Sequence, residues 1–126
     1  MDLVINNSER VRYDKKKFAK IADMVSRKKH IVSLSFVSKA EMKKLNRRYR
    51  GKNKPTDVLS FNLNEGRLLG DVLICPDVAR ANAKEYGTTI GAELARLLAH
   101  GLLHLTGYDH GKKMFDLQEK ITEACA

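Results

Sequence analysis

Apolar residues recur along this chain at two spacings, and each spacing predicts a different kind of element. Where they alternate with polar residues, as Val32, Leu34 and Phe36 do with serines, the pattern predicts a β-strand buried on one face. Where they recur at helical spacing, it predicts an amphipathic helix. The predicted strands cover residues 3–7, 30–37, 57–63 and 67–74, and the predicted helices cover residues 14–26, 38–49, 76–86, 88–106 and 112–126.

These elements are mixed rather than strictly alternating, which favours an α+β fold: one domain over residues 1–126, with a mixed sheet of about four strands covered by about five helices. The chain is 43% hydrophobic and 31% charged, which is typical of a globular protein. Cys75 and Cys125 do not have the spacing of a metal or redox pair, and we expect both to be buried thiols. No targeting or membrane-spanning segment is recognisable, so we expect a cytoplasmic protein.

Positive charge is concentrated in the first half of the chain. Residues 1–56 hold 17 Lys and Arg against 5 Asp and Glu, whereas residues 57–126 hold 7 against 10. An excess of positive charge attracts phosphate backbones, so the composition favours a polyanion as partner; a solvated basic face is the alternative. If that polyanion is RNA, the candidate RNA-binding residues lie on the outer face of the second helix and in the loop that follows it: Arg47, Arg48, Arg50, Lys52 and Lys54.

Three of the four histidines lie in residues 100–110. His100 and His104 are one helical turn apart and should leave the same face, and Gly107 can end the helix so that His110 turns back towards them. Neutral imidazoles suit zinc, at about 2.0–2.1 Å, and three protein ligands with one open position are typical of a catalytic site. The pattern predicts a zincin-like metal site on a helix and the following turn; the alternative is that these are core or surface histidines.

The histidine spacing is that of the extended zinc-protease motif, except that Gly101 stands where those proteases have their glutamate base. This argues against peptide hydrolysis by the usual route. Glycine inside a helix costs about 0.5–1 kcal/mol against alanine, so we expect a strand backbone to approach closely at Gly101. Asp71, Glu93 and Asp109 are candidates for the proton acceptor, and Asp109 is also a candidate partner that fixes the tautomer of an imidazole.

Two separate segments carry a resemblance to a known family. Residues 100–110 read His-Gly-Leu-Leu-His-Leu-Thr-Gly-Tyr-Asp-His, and residues 54–61 read Lys-Pro-Thr-Asp-Val-Leu-Ser-Phe, with Tyr-Arg-Gly-Lys before them and Leu-Gly-Asp after them. Together they resemble the bacterial YbeY family of rRNA-maturation endoribonucleases over residues 45–110. The chain departs from the family at Asn62 and Asn64, where members often have proline and an acidic residue.

The resemblance implies one zinc ion per chain, held by His100, His104 and His110, and metal-dependent cleavage of single-stranded RNA. It also implies a role in maturation of the 3′ end of 16S rRNA and in ribosome quality control. The implied partners are single-stranded rRNA and the small ribosomal subunit, without a membrane or a nucleotide cofactor. The resemblance aligns Arg50 with the family's functionally important arginine.

On this hypothesis the zinc activates a water molecule or a ribose 2′-hydroxyl to attack the phosphodiester. Arg50 and Asp109 are the candidate catalytic residues, and Arg50 would hold the scissile phosphate in its fork of donors. Two alternatives use the same residues. One is a non-enzymatic, zinc-stabilised module that binds RNA or the ribosome. The other is a metallopeptidase, which has no evident use for the basic half of the chain.

Overall fold

Four strands and five helices make up the computed structural model, which describes residues 1–126 and confirms the predicted α+β fold class. The strands are β1 (Asp2–Asn6), β2 (Ile31–Phe36), β3 (Val58–Glu65) and β4 (Leu68–Ile74). The helices are α1 (Lys15–Val25), α2 (Lys39–Arg50), α3 (Pro76–Tyr86), α4 (Ile90–Leu105) and α5 (Lys112–Ala124). None of these helices is long and apolar enough to span a membrane.

The strands form one mixed sheet in the order β1-β2-β4-β3. β2 pairs in parallel with both β1 and β4, whereas β3 pairs antiparallel with β4 after the short turn that joins the two strands. β3 is therefore an edge strand with one side unpaired.

The two faces of the sheet are covered by different helices. Alternate residues of the inner strands, such as Leu34 and Val72, belong to a large core cluster with α1, α4 and α5. The residues between them on β3 and β4, such as Leu59 and Leu73, pack with Met42 of α2 in a smaller cluster. Because successive side chains of a strand point to opposite faces, α2 lies across the sheet from α4.

Polar side chains define where the helices begin. Asp14, Ser38 and Thr89 each accept a hydrogen bond from a backbone N–H of the first turn, at 3.0, 3.2 and 3.0 Å respectively. Each satisfies a donor that the helix itself leaves free. At the other end of α2, Gly51 has φ +68°, a left-handed conformation that stops the helix and releases the basic loop.

Two helices bury a polar residue on their inner face. The helical spacing of Met42, Leu45 and Tyr49 predicts that Tyr49 points inward from α2, but Tyr49 is 55% exposed. Asn46 is buried on this helix instead. Asn46 donates from Nδ2 to the carbonyl oxygen of Lys54 at 2.8 Å, so this amide ties the basic loop to α2.

On α5, helical spacing after Met114 and Ile121 likewise predicts that Ala124 points inward, but Ala124 is exposed. Gln118 is buried on this helix, where its side chain bonds to His100.

Candidate metal centre

The three predicted histidines lie together. One ligand atom from each of His100, His104 and His110 can be chosen so that all lie within 4.8 Å of one another. His104 Nε2 and His110 Nε2 are 3.0 Å apart, and the three ring centroids are separated by 4.4–5.0 Å. The first two histidines leave α4 one turn apart, and the third returns from the turn between α4 and α5.

Two glycines allow this arrangement. Gly107 has φ +101°, a backbone angle that residues with a side chain rarely adopt. This glycine redirects the chain after α4. At Gly101 a Cβ atom would lie 2.8 Å from Val72 Cγ1 and 3.2 Å from Val72 Cγ2. The predicted close approach is present, but the neighbour is a side chain of β4 and not a strand backbone. Gly101 thus lets the histidine helix lie directly on the sheet.

Gln118 of α5 holds the first histidine in place. Its Oε1 lies 2.9 Å from His100 Nδ1, and its side chain is almost completely buried. An amide oxygen can only accept, so the hydrogen lies on Nδ1 and the lone pair of Nε2 is left for a metal. Gln118 was not among the site residues predicted from the sequence; its polar side chain on the inward face of α5, one turn after Met114, was the available signal.

Burial also keeps two of the imidazoles neutral. Desolvation is the main cause that lowers the pKa of His100, despite the opposing hydrogen bond with Gln118. Desolvation likewise lowers the pKa of His104, and the neighbouring His100 and His110 lower it further. A neutral imidazole offers its lone pair to a metal, so these shifts favour metal binding at neutral pH.

A cleft of about 430 Å³ opens beside the histidines. It is lined by residues 56–61 at the start of β3, by the three histidines, and by Tyr49 and Arg50 from the end of α2. Among the predicted RNA-binding residues, Arg50 alone lines this cleft; Arg47, Arg48, Lys52 and Lys54 are exposed around it without lining it. The cleft thus combines a candidate metal site with one guanidinium group.

The carboxylate that lines this cleft belongs to Asp57, which was not among the site residues predicted from the sequence. Asn82 of α3 donates from Nδ2 to Asp57 Oδ2 at 3.1 Å and to Glu93 Oε2 at 3.2 Å. Arg96 of α4 binds both carboxylate oxygens of Glu93 at 2.7 Å and lies 3.8 Å from Asp57 Oδ2. These four side chains connect the cleft wall to α4 one turn before His100.

The predicted proton acceptors are placed less favourably. Glu93 is 1% exposed and occupied by Arg96, whose pKa is raised chiefly by that hydrogen bonding. Asp71 alternates with Gly70 and Val72 on β4, so its side chain points away from the face that carries α4. Asp109 is exposed and makes no hydrogen bond with an imidazole. Gln118, and not Asp109, makes the hydrogen bond that fixes the tautomer of a histidine, and that histidine is His100.

The chain is similar in sequence to proteins of one known family. A family model described as endoribonuclease YbeY matches residues 4–126. Endoribonuclease YbeY of Sulfurihydrogenibium sp. is 48% identical over 101 residues, covering 71% of this chain and 66% of that protein. Endoribonuclease YbeY of Staphylococcus aureus is 39% identical over 131 aligned residues, covering 86% and 84%. For several relatives the match spans just under two thirds of their length.

The fold is also similar to a solved structure. The solution structure of TM1509 from Thermotoga maritima superposes with a TM-score of 0.71 at 33% sequence identity. The match covers 98% of this chain and 88% of that one.

Proposed function

The chain belongs to the endoribonuclease YbeY family, and on that basis we propose that it is a metal-dependent endoribonuclease specific for single-stranded RNA. The observation that carries the proposal is the convergence of His100, His104 and His110 within 4.8 Å beside a cleft lined by Arg50. Membership of the family supports RNA cleavage as the reaction, and the cleft beside the histidines supports this site as its location.

We propose zinc, one ion per chain, as the metal. The donor set fits zinc because it consists of three imidazoles, two of them kept neutral by burial and one held in a single tautomer by Gln118. His100, His104 and His110 would hold the zinc ion, which would supply Lewis-acid chemistry for polarising the phosphodiester and for easing deprotonation of the attacking water or ribose 2′-hydroxyl.

The chain's own residues bind and orient the RNA. Arg50 lies at the end of α2, within the cleft, and its planar fork of donors can hold the scissile phosphate and offset the charge that develops on it. Lys52 and Lys54 follow in the loop that Asn46 ties to α2, where they extend the positive surface along the incoming strand. Asp109 is exposed in the same turn as His110 and remains a candidate catalytic residue.

We further propose that the substrate is rRNA at the 3′ end of 16S rRNA on the small ribosomal subunit, and that the protein acts in the cytoplasm in ribosome quality control. The resemblance of residues 45–110 to the family supports this assignment. The basic first half of the chain also supports it, because 17 basic against 5 acidic residues suit an RNA-rich partner.

Metal analysis together with RNA cleavage tests the proposal. Purified protein should contain one zinc per chain, cleave single-stranded RNA, lose activity on chelation and regain it with added zinc. His104→Ala should lose both zinc and cleavage but keep RNA binding, whereas His30→Ala, at the remaining histidine, should keep all three. Zinc without cleavage under any condition would favour the binding module, and peptide cleavage without RNA cleavage would favour the metallopeptidase.

A further inference from the structure

The open edge of β3 forms a wall of the cleft that holds the histidines. An edge strand has backbone N–H and C=O groups that no neighbouring strand satisfies, and each such group is a hydrogen-bonding site for another molecule. Which residues of β3 present these groups is fixed by the pairing with β4.

Two hydrogen bonds show which residues of β3 form hydrogen-bonded pairs with β4. Cys75 N donates to Asp57 O at 2.9 Å, which makes this a hydrogen-bonded pair of the antiparallel ladder. Val37 N donates to Ile74 O at 2.9 Å, so Ile74 directs its backbone towards β2 and not towards Val58 opposite. Hydrogen-bonded and non-hydrogen-bonded pairs alternate along such a ladder. Leu59 and Phe61 therefore bond to β4, and Val58 and Ser60 direct their N–H and C=O to the open edge.

An exposed aromatic ring stands in the same cleft. Tyr49 is 55% exposed, and its ring centroid lies 5.0 Å from that of Phe61 on β3. The guanidinium carbon of Arg48 lies 5.4 Å from the Tyr49 centroid. Tyr49 is thus held against β3 by Phe61, beside two arginines that can bind phosphate, Arg48 and Arg50.

We propose that Val58, Ser60 and Tyr49 form a subsite for one unpaired nucleobase next to the metal centre. The inference rests on the proposed function. Every nucleobase has a hydrogen-bond donor next to an acceptor on its Watson–Crick edge. The outward N–H and C=O of a single residue of β3 can bond to such a donor and acceptor. Tyr49 offers a face on which a base can stack, as in other single-strand sites.

The subsite gives a physical reason for single-strand specificity. In a duplex the pairing edge of each base is already hydrogen-bonded, and its faces are covered by neighbouring bases, so β3 and Tyr49 can engage only an unpaired base. An extended peptide could also pair with an open strand edge. The positive charge of Arg48 and Arg50 at the cleft favours the phosphate-bearing ligand instead.

Backbone amide NMR of the zinc-loaded protein tests the subsite directly. Adenosine monophosphate should shift the amide resonances of Val58 and Ser60, while ribose 5-phosphate, which lacks the base, should not. The Leu59 amide, bonded to β4, should shift less and serves as an internal reference. Equal shifts with both ligands would mean a phosphate site only. No shift with either, or a shift with tetra-alanine alone, would also overturn the proposal, the latter in favour of a peptide.

A backbone substitution gives the matching functional test. Proline is tolerated on an edge strand where the N–H faces outward, so Ser60→Pro deletes the outward donor without removing a bond to β4. KM for single-stranded RNA should be at least about 10-fold higher in Ser60→Pro than in Ser60→Ala, which keeps the N–H, with kcat and zinc content alike in both. Tyr49→Ala should raise KM by about 10-fold relative to Tyr49→Phe, which keeps the aromatic face.

These results separate the subsite from the proposed function. Cleavage of RNA with equal KM values in both pairs of variants would reject the subsite and leave the endoribonuclease intact. Base-dependent amide shifts in a protein that cleaves no RNA would reject the endoribonuclease and leave the subsite. If Ser60→Pro fails to fold, the Tyr49 pair and the amide shifts decide the question.

Discussion

His100 Nδ1 and Gln118 Oε1 are 2.9 Å apart, although the two residues are 18 positions apart in the chain and lie on different helices. The hydrogen bond fixes one imidazole on α4 through a buried amide on α5. The helix that follows the histidines therefore contributes to the geometry of the metal centre, even though it supplies no ligand.

Gln118→Leu removes this hydrogen bond while keeping a buried side chain of similar size. The zinc dissociation constant should rise about 10–100-fold, because His100 is then free to rotate and to change tautomer. Competition with a chromophoric chelator measures the affinity. Thr122→Val is the control, since the Thr122 hydroxyl bonds only to backbone oxygens of its own helix, at 3.0 and 3.1 Å. Unchanged zinc affinity in Gln118→Leu would show that packing alone orients His100.

Arg50→Ala should lower kcat for RNA cleavage by about 100-fold and leave zinc content unchanged, because the guanidinium group acts on the phosphate and not on the metal. Arg50→Lys should recover only part of the loss, since an ammonium group cannot form the two-pronged contact. Steady-state kinetics and elemental analysis measure both quantities. Arg27→Ala removes a charge outside the cleft and is the control; an equal loss in that variant would mean that Arg50 contributes net charge alone.

Arg96→Met should lower the free energy of unfolding by about 3 kcal/mol, because it leaves the carboxylate of Glu93 buried without its partner. Urea unfolding measures the loss. Glu93→Leu combined with Arg96→Met should lose less than the single variant, since the buried carboxylate of Glu93 is then removed as well, and Asp57, the other acidic neighbour of Arg96, keeps its hydrogen bond from Asn82. Arg80→Met breaks an exposed ion pair with Asp77, at 2.8 Å, and should change stability by less than about 1 kcal/mol. Equal losses in Arg96→Met and Arg80→Met would contradict a special role for the buried pair.

Gly101→Ala should destabilise the protein by about 1–3 kcal/mol, although alanine is the better helix former. The added methyl group would lie 2.8 Å from Val72 Cγ1, and valine has little freedom to move away. Adding Val72→Ala should restore part of the stability that Gly101→Ala loses, because it clears that space. Thermal unfolding of the two single variants and the double variant measures the coupling between the two substitutions. If their losses of stability simply add, the contact between residue 101 and Val72 is not the cause.

Acid should destabilise the metal-free protein. Burial lowers the pKa of His100 and His104 in the folded chain, so below about pH 6.5 the unfolded chain takes up protons that the folded chain does not. The free energy of unfolding should therefore fall as the pH drops from about 6.5 through the folded pKa values, and these groups should contribute no pH dependence above that range. Urea titrations across this range measure how steeply the free energy of unfolding changes with pH. This dependence should be weaker in His104→Gln.

The sequence predicted the elements well because their signals are local. Alternation in residues 31–36 and the capping side chains of Asp14, Ser38 and Thr89 depend only on near neighbours. The convergence of the histidines was also predictable, since one helical turn and one glycine determine it. By contrast, Gln118 and Asp57 owe their roles to partners far along the chain, and the exposure of Tyr49 depends on how α2 lies over β3. Such relationships follow from tertiary packing, which periodicity does not report.

The three histidines differ in burial and in the kind of element that carries them. His100 and His104 are half-buried on a rigid helix, whereas His110 is exposed on the turn between α4 and α5. The nitrogens of His100 and His104 therefore depend on the packing of α4, whereas the position of the His110 nitrogen depends on the backbone of residues 107–111, where Gly107 has φ +101°. A substitution at Gly107 would misplace one ligand and leave the other two where they are. The fold would then keep a pair of histidines that binds a metal ion more weakly than the three together.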